Sequence, residues 1–512
     1  MPLSLVCVLS VGTFLTFLDA TSTNAVFPAV VETFHKSISS ASWILNGGNL
    51  ALAIGLMIGG GVADALGRRR VFTIGLVLYA GASLGCAMAT VFWLMIVCRV
   101  ALGLSGALVL LSSLALVMDV APVGAEAKAI GTYSAVGAFG SVVGPFLAAF
   151  TTHYFTWRIL FLFNVPVCLA GVWGTRWVHC AQRGRRSSIN CVGSVLAGAA
   201  LALLLLAPSG VLNTVTGARG TTAALCVAVV LLVLSEINSA NPIVPRSLRT
   251  AEFACPLLAT FGLGFCIGVG LLALPIFVTI VQGGTVSAGG LATAPASMIS
   301  VIAAVASGWI AARRGYCWPL TGGMLLATVT LWVASVFRTD APVWTIIVAS
   351  ALSGVAIGFG LPAAGGWAMK AADPSRRGAA SGLYNMSRVM GIAVGVMTFS
   401  TIFSARISPD LDIIRMRLEQ QGSVAAAETQ GDVLDALGRL RDCRTPDCLR
   451  RSLRELGKVE ATQSVGETFR SLLARRFDET LRVCAFASAL FFLFWMASFV
   501  RGRGSGPPIR HF

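Results

Sequence analysis

The sequence predicts an all-α polytopic membrane protein with fourteen spanning helices. Three observations carry that prediction: an apolar composition, a series of charge-poor runs of bilayer length, and a one-sided distribution of Lys and Arg. Of 512 residues, 56% are hydrophobic and only 12% are charged, and the mean hydropathy is +0.81. A soluble chain is roughly one quarter charged. In water this chain would expose more apolar surface than folding could hide, which leaves lipid as its solvent. Fifty-five glycines fit the same reading, because small residues let membrane helices approach closely.

A bilayer core takes about 20 apolar residues of helix, and cutting at charges, Pro and Gly gives the spans in order. The first covers 4–27; no basic segment precedes it, and Asp19 stands where a cleavage region would fall, so it reads as a span and not as a removable signal. The second, 42–63, is separated from the third, 71–91, by Asp64 and the arginine turn Arg68, Arg69, Arg70. The fourth and fifth, 93–118 and 128–152, flank a short polar turn, and the sixth, 157–178, runs toward Arg183, Arg185 and Arg186. The seventh, 191–208, is short and ends near Pro208, and the eighth covers 221–237. After Arg246 and Arg249 come the ninth, 255–280, and the tenth, 288–312, which ends at Arg313 and Arg314. The eleventh and twelfth are 317–337 and 342–369; the thirteenth, 378–404, follows Arg376 and Arg377, and the fourteenth is 480–500.

An even count puts both termini on one side. With both in the cytoplasm, the cytoplasmic turns and tail hold eighteen Lys and Arg, while the short outside loops hold four: Lys36, Arg158, Arg219 and Arg338. The positive-inside rule therefore places both ends in the cytoplasm. It also accounts for the net charge of +16, which in a soluble protein would have suggested nucleic acid as a partner.

Residues 405–479 are different. They are polar, with thirteen basic and thirteen acidic residues, and fall outside the membrane between the last two spans. Leu434, Leu437, Leu440 and Leu449, Leu453, Leu456 recur at helical spacing, which predicts short amphipathic helices over the outer mouth. Cys443 and Cys448 are close enough in sequence to close a small disulfide loop or to stand as two thiols, and the sequence leaves both open. Other cysteines, such as Cys86, Cys98, Cys226 and Cys266, lie in apolar runs as small hydrophobes. With four dispersed histidines and no Cys/His cluster, neither metal nor cofactor is expected.

A repeat divides the chain. Gly60, Asp64 and Gly67 close the second span; Gly308, Ala312 and Gly315 close the tenth at the same spacing. Gly131, Tyr133, Gly140 and Gly144 of the fifth span return as Gly382, Tyr384, Gly391 and Gly395 of the thirteenth. The offsets, 248 and 251 residues, shift the pattern by eight spans. A six-helix bundle, two inserted helices and a second six-helix bundle give that shift. The expected division is 1–180 for the first bundle, 181–240 for the inserted pair, and 241–404 with 480–501 for the second bundle; 405–479 is the outer loop and 502–512 the cytoplasmic tail.

Asp19 sits deep in the first span, where a carboxylate is costly and is a functional candidate by default. It can serve as a proton site in a cavity, or as a structural partner of the fourth span. Arg99, two turns into that fourth span, is the available partner; alternatively it snorkels to the outer interface. Asp64 in its Gly-framed turn suits a helix N-terminus or an arginine across a bundle boundary. Gly140, Gly144 and Pro145 permit close packing and a bend in the fifth span. Asn24, Asn385 and Arg388 are cavity candidates, Arg388 being deeper in its helix than the arginines of the turns.

With these residues in hand, the chain resembles the fourteen-helix branch of the drug:proton antiporters of the major facilitator superfamily. Leu18-Asp19-Ala20-Thr21 through Asn24 to Pro28 is similar to that family's first-helix motif, whose acid is associated with proton coupling. Gly60 through Asp64 and Gly67 to Arg70 resembles its gating motif, in which Arg68 and Arg69 belong. Arg99 to Ala107 resembles its fourth-helix motif, and Gly140 to Ala149 its antiporter motif. Trp157 to Pro166 and Ala380 to Arg388 resemble further segments. The chain departs from the pattern at Gly48, Leu102, Ala148, Ala149 and Val389, each in place of a bulkier, polar or glycine residue.

The resemblance implies export of small amphipathic compounds, drugs or toxic metabolites, in exchange for protons by alternating access, with Asp19 and Arg99 as the coupling pair. It implies a monomer in a bacterial inner membrane whose partners are its substrate, protons and lipid. Without a P-loop or a constellation of nucleophile, metal or paired acids, neither a nucleotide-driven pump nor an enzyme is expected. Two other readings stand beside it: export or flipping of a lipid-like or metabolite substrate, and a transporter-like sensor or scaffold acting through 405–479.

Overall fold

The computed structural model describes residues 3–35, 38–122, 124–178, 250–282, 292–337, 341–420 and 463–504, with residues 227, 230 and 248 singly. The described residues are helical throughout, apart from short turns. The first six helices are α1 (Leu3–Phe34), α2 (Ile38–Leu66), α3 (Arg68–Met88), α4 (Phe92–Val120), α5 (Glu126–Tyr154) and α6 (Arg158–Gly174). The second six are α7 (Ala251–Ile276), α8 (Ala294–Arg314), α9 (Cys317–Ala334), α10 (Val343–Ala371), α11 (Arg377–Gln420) and α12 (Gln463–Gly504).

Twelve described helices are long and apolar enough to cross a membrane. The expected seventh and eighth spans, 191–208 and 221–237, lie outside the described residues but for two isolated positions. The outer faces of the helices carry large apolar side chains such as Val77, Phe146, Trp173, Ile302, Trp344 and Phe494, all exposed. Apolar surface of that kind is stable against lipid tails.

Packing repeats as the sequence does. Within the first six helices α1 lies on α5, α2 and α3 on α4, and α3 on α6; within the second six, α7 lies on α11, α8 and α9 on α10, and α9 on α12. Glycines set the distances. The Cα face of Gly103 on α4 meets the Gly48 carbonyl of α2, and Gly354 on α10 meets the Ala296 carbonyl of α8. Gly140 and Gly144 of α5 lie on the backbone of α1 at Phe14 and Leu18; Gly391 and Gly395 of α11 lie on α7 at Phe261 and Phe265. The two repeated tyrosines do the same work: Tyr133 donates to the carbonyl of Leu110, and Tyr384 to that of Leu361, each 23 residues back along the chain.

The two sets of six meet through α2 on α11 and α5 on α8. These crossings also rest on repeat glycines. A Cβ on Gly131 would come within 2.8 Å of the Gly308 Cα, and one on Gly60 within 2.9 Å of the Ala379 Cα. Gly67 and Gly315 take positive φ, 93° and 84°, in the turns that follow α2 and α8. That backbone conformation favours Gly, which explains the matched turn glycines.

The helices run past the expected edges of the last two spans, 378–404 and 480–500: α11 continues to Gln420 and α12 begins at Gln463, before its apolar run. Loss of apolar residues ends the membrane span without ending the helix, because charged residues with good helix propensity continue it. Arg406 of α11 donates to Glu479 of α12 at 2.9 Å and ties the two helices, and Arg476 of α12 shares the same carboxylate at 3.0 Å. The expected amphipathic leucine segments and the Cys443/Cys448 pair lie outside the described residues.

Candidate functional site

Asp19 lies at the middle of α1, and the close approach of α5 through Gly140 and Gly144 holds that stretch of α1 against the bundle. Arg99 reaches it from α4. The Arg99 Nη1 donates to both carboxylate oxygens, at 2.7 and 2.9 Å. Its Nε donates to the Ile44 carbonyl at 3.2 Å, and its guanidinium carbon lies 5.9 Å from the ring centroid of Phe161. Thr23 donates to Asp19 from one turn further along α1 at 3.2 Å. Asp19 keeps 9% of its surface exposed and Arg99 only 3%.

Arg99 therefore does not snorkel. It turns inward because α2 has no side chain in its way: a Cβ at Gly48 would stand 3.2 Å from the guanidinium. The departure at Gly48 thus opens the passage for the pair. A buried guanidinium with a carboxylate, a carbonyl and an aromatic face is satisfied, and removing its carboxylate would strand it.

Among the described residues of the second half the pair has no counterpart. The packing correspondence sets Cys266 opposite Asp19 and Ser350 opposite Arg99. Cys266 contacts the Ser488 hydroxyl at 3.1 Å and the Ser350 hydroxyl accepts from the Ala296 amide. An apolar cavity of about 50 Å3 lies there, lined by Cys266, Phe277, Leu331, Phe337 and Phe477 among others.

A second cluster occupies one end of the molecule, where the turns after α2, α4, α8 and α10 come together. Asp64 accepts from Arg68 at 2.9 Å and from the first backbone amides of α11, Gly378 and Ala379, each at 2.9 Å. Those amides have no partner within their own helix, and the carboxylate satisfies both. Arg68 also pairs with Asp119 of α4 and donates to the Pro374 carbonyl at 2.6 Å. Arg377 reaches Asp119 from the other half at 3.0 Å. This end is closed: Asp64, Arg68 and Asp119 of the first half grip the start of α11 in the second.

The other candidates are distributed unevenly. Arg69 is exposed, as is Arg70, and takes no part in this network among the described residues. Asn24 is exposed on α1. Asn385 is buried and donates to the Ser381 carbonyl of its own helix. Arg388 is half-buried, with its guanidinium carbon 4.9 Å from the Phe17 ring centroid. Pro145 lies inside α5, one residue past the closest approach to α1. Asp119 and Arg377, both central to the closed end, are not among the sequence candidates. Their signal was there: an acid closing one span and a base opening another, both beside turns on the same side.

Comparison with known proteins fits this geometry. The model of the Major Facilitator Superfamily matches residues 9–396. The chain is 28% identical over 411 residues to the multidrug resistance protein Stp of Mycobacterium tuberculosis, covering 78% of this chain and 76% of that one. It is 27% identical to the methylenomycin A resistance protein of Bacillus subtilis, over 77% and 86% of the two chains. Against the tetracenomycin C resistance and export protein of Streptomyces glaucescens it is 27% identical, over 78% and 75%. Among solved structures, the fold matches the human organic anion transporter TETRAN with TM-score 0.60 and 15% identity, over 79% of this chain and 94% of that one. It also matches an inward-facing bacterial homologue of the human lysosomal transporter Spinster with TM-score 0.58 and 16% identity, over 99% and 100%.

Proposed function

The chain belongs to the major facilitator superfamily, a multi-pass membrane family, and on that premise we propose that it exports small amphipathic compounds, drugs or toxic metabolites, in exchange for protons. The relatives named for drug resistance and export support the direction and the class of cargo. The Asp19–Arg99 pair is the observation that carries the proton.

The mechanism follows from the pair's energetics. With Asp19 ionised, Arg99 is neutralised and α1 is tied to α4. Protonation of Asp19 removes the charge, leaves Arg99 with a carbonyl and an aromatic ring, and loosens that tie. A proton taken up from one side and released to the other thereby biases the position of α1, and with it the balance between the two open states. The closed end offers the matching gate, because Asp64 and Asp119 hold α11 only while the halves meet there.

The rest of the reading is architectural. The two unassigned spans complete a 6+2+6 arrangement in a bacterial inner membrane, with both termini in the cytoplasm and the chain acting as a monomer. In that orientation the closed end is cytoplasmic. The proton gradient is the energy source.

The test is accumulation of a panel of amphipathic compounds in transporter-depleted cells. Wild type lowers accumulation, a protonophore abolishes the effect, and Asp19→Asn, present at equal level in the membrane, equals the protonophore-treated cells. Export by Asp19→Asn at the wild-type rate would remove the coupling role.

A further inference from the structure

Arg388 has the position of a ligand-binding group. It lies on α11 between the halves, and the eleven residues from Arg377 to Arg388 carry it about 16 Å along the helix from the closed end. It faces Phe17 on α1, across the boundary between the two halves. Among the described residues no carboxylate pairs with it and no group accepts a hydrogen bond from it, although both Arg388 and Phe17 are half-buried.

A guanidinium at bilayer depth is costly unless it meets an anion or lines a cavity. Three acids of the first six helices are already committed. Asp19 is held by Arg99 and Thr23, Asp64 by Arg68 and the α11 amides, and Asp119 by Arg68 and Arg377. The Tyr133 and Tyr384 side chains are neutral phenols that donate to the Leu110 and Leu361 carbonyls, so they supply no opposing charge. Among the described residues no group compensates it, which leaves the place open to an anion from outside the chain.

The geometry also describes its body. A guanidinium against an aromatic face keeps its in-plane N–H groups free for a forked contact with a carboxylate or similar oxyanion. Phe17 beside it supplies an apolar surface for a ring. Asp19 neutralises Arg99; among the described residues Arg388 keeps its charge uncancelled at depth, and an incoming monoanion cancels it.

We propose that the exported compound is an amphipathic organic anion, an aromatic body bearing a carboxylate or ionised phenol whose charge is taken by Arg388. This rests on the export reading above and narrows its substrate. It sets lipophilic cations aside, because they would meet an uncompensated positive charge.

The experiment is isothermal titration calorimetry of the purified full-length protein with naphthoate and with naphthamide, which share a ring system and differ in charge. Wild type should bind naphthoate roughly tenfold or more tightly than naphthamide. Arg388→Gln should lose that preference while still binding naphthamide, and Arg388→Lys should restore part of it. Phe17→Leu should weaken both probes and leave their ratio in place. If Arg388 is only a latch against Phe17, Arg388→Gln will keep the naphthoate preference, and the proposal is overturned. Wild-type binding that favours naphthamide, or that is absent for both probes, overturns it as well. No proton gradient is present, so failed export leaves this result standing, while export of neutral compounds without a carboxylate preference removes the anion assignment alone.

Discussion

Replacing Asp64 by Asn should open the closed end, and the structure sets the size of the effect. Asp64 is almost fully buried and uses both oxygens: one accepts from Arg68 and the Gly378 amide, the other from the Ala379 amide. Arg68 lies one turn along the same segment, so its bond to Asp64 survives any separation of the halves. Of the bonds to Asp64, the two from the α11 amides exist in the closed state alone. Asn keeps one acceptor and turns an NH2 group toward a donor, so one charge-assisted bond is lost and the other becomes neutral. Hydrogen bonds to charged groups contribute about 1.5–3 kcal/mol. The closed state should therefore lose about that much, a tenfold to hundredfold shift toward opening. The assay is hydrogen–deuterium exchange of the peptide that begins α11, compared between Asp64→Asn and wild type at equal protein folding. Faster exchange at Gly378 and Ala379, with little change along α3, is the expected outcome. If exchange at the start of α11 stays within twofold of wild type, Asp64 is not what holds the closed end.

Other expectations follow from the same contacts. Gly131→Leu places a side chain where the Gly308 backbone already sits, so α5 and α8 cannot meet; the variant should reach the membrane but show no export in the accumulation assay. Asp119→Asn should accelerate exchange at the start of α11 by weakening its ties to Arg68 and Arg377. Arg69→Gln should leave exchange and export near wild type, since that side chain is exposed and outside the network; equal loss in both variants would contradict this division. Asp19→Asn should abolish protonophore-sensitive export, as set out above.

Much of the fold was legible because it follows from solvent and spacing. Lipid as solvent requires long apolar runs, and these can be counted in the sequence. The repeat was legible because close helix contacts tolerate only small residues, so the same glycines recur at the same intervals. The limits of α11 and α12 were not legible, because the loss of apolar residues marks the edge of the membrane and not the end of a helix. Asp119 and Arg377 escaped notice for a related reason: a charge beside a turn looks solvated until another chain segment covers it.

The sequence by itself determined that this chain crosses a membrane many times, that its helices pack through glycine, and that it is built as two related halves, since each follows from local composition or periodicity. Tertiary structure decided which charges meet. Arg99 could have reached for the interface and instead turns to Asp19 through the space left by Gly48. Asp64 could have capped a local turn and instead holds a helix 314 residues away. Arg388 lies beside the Phe17 ring with no acid paired to it among the described residues. Pairing of that kind depends on distances between segments remote in the chain, and these are fixed only when the helices pack.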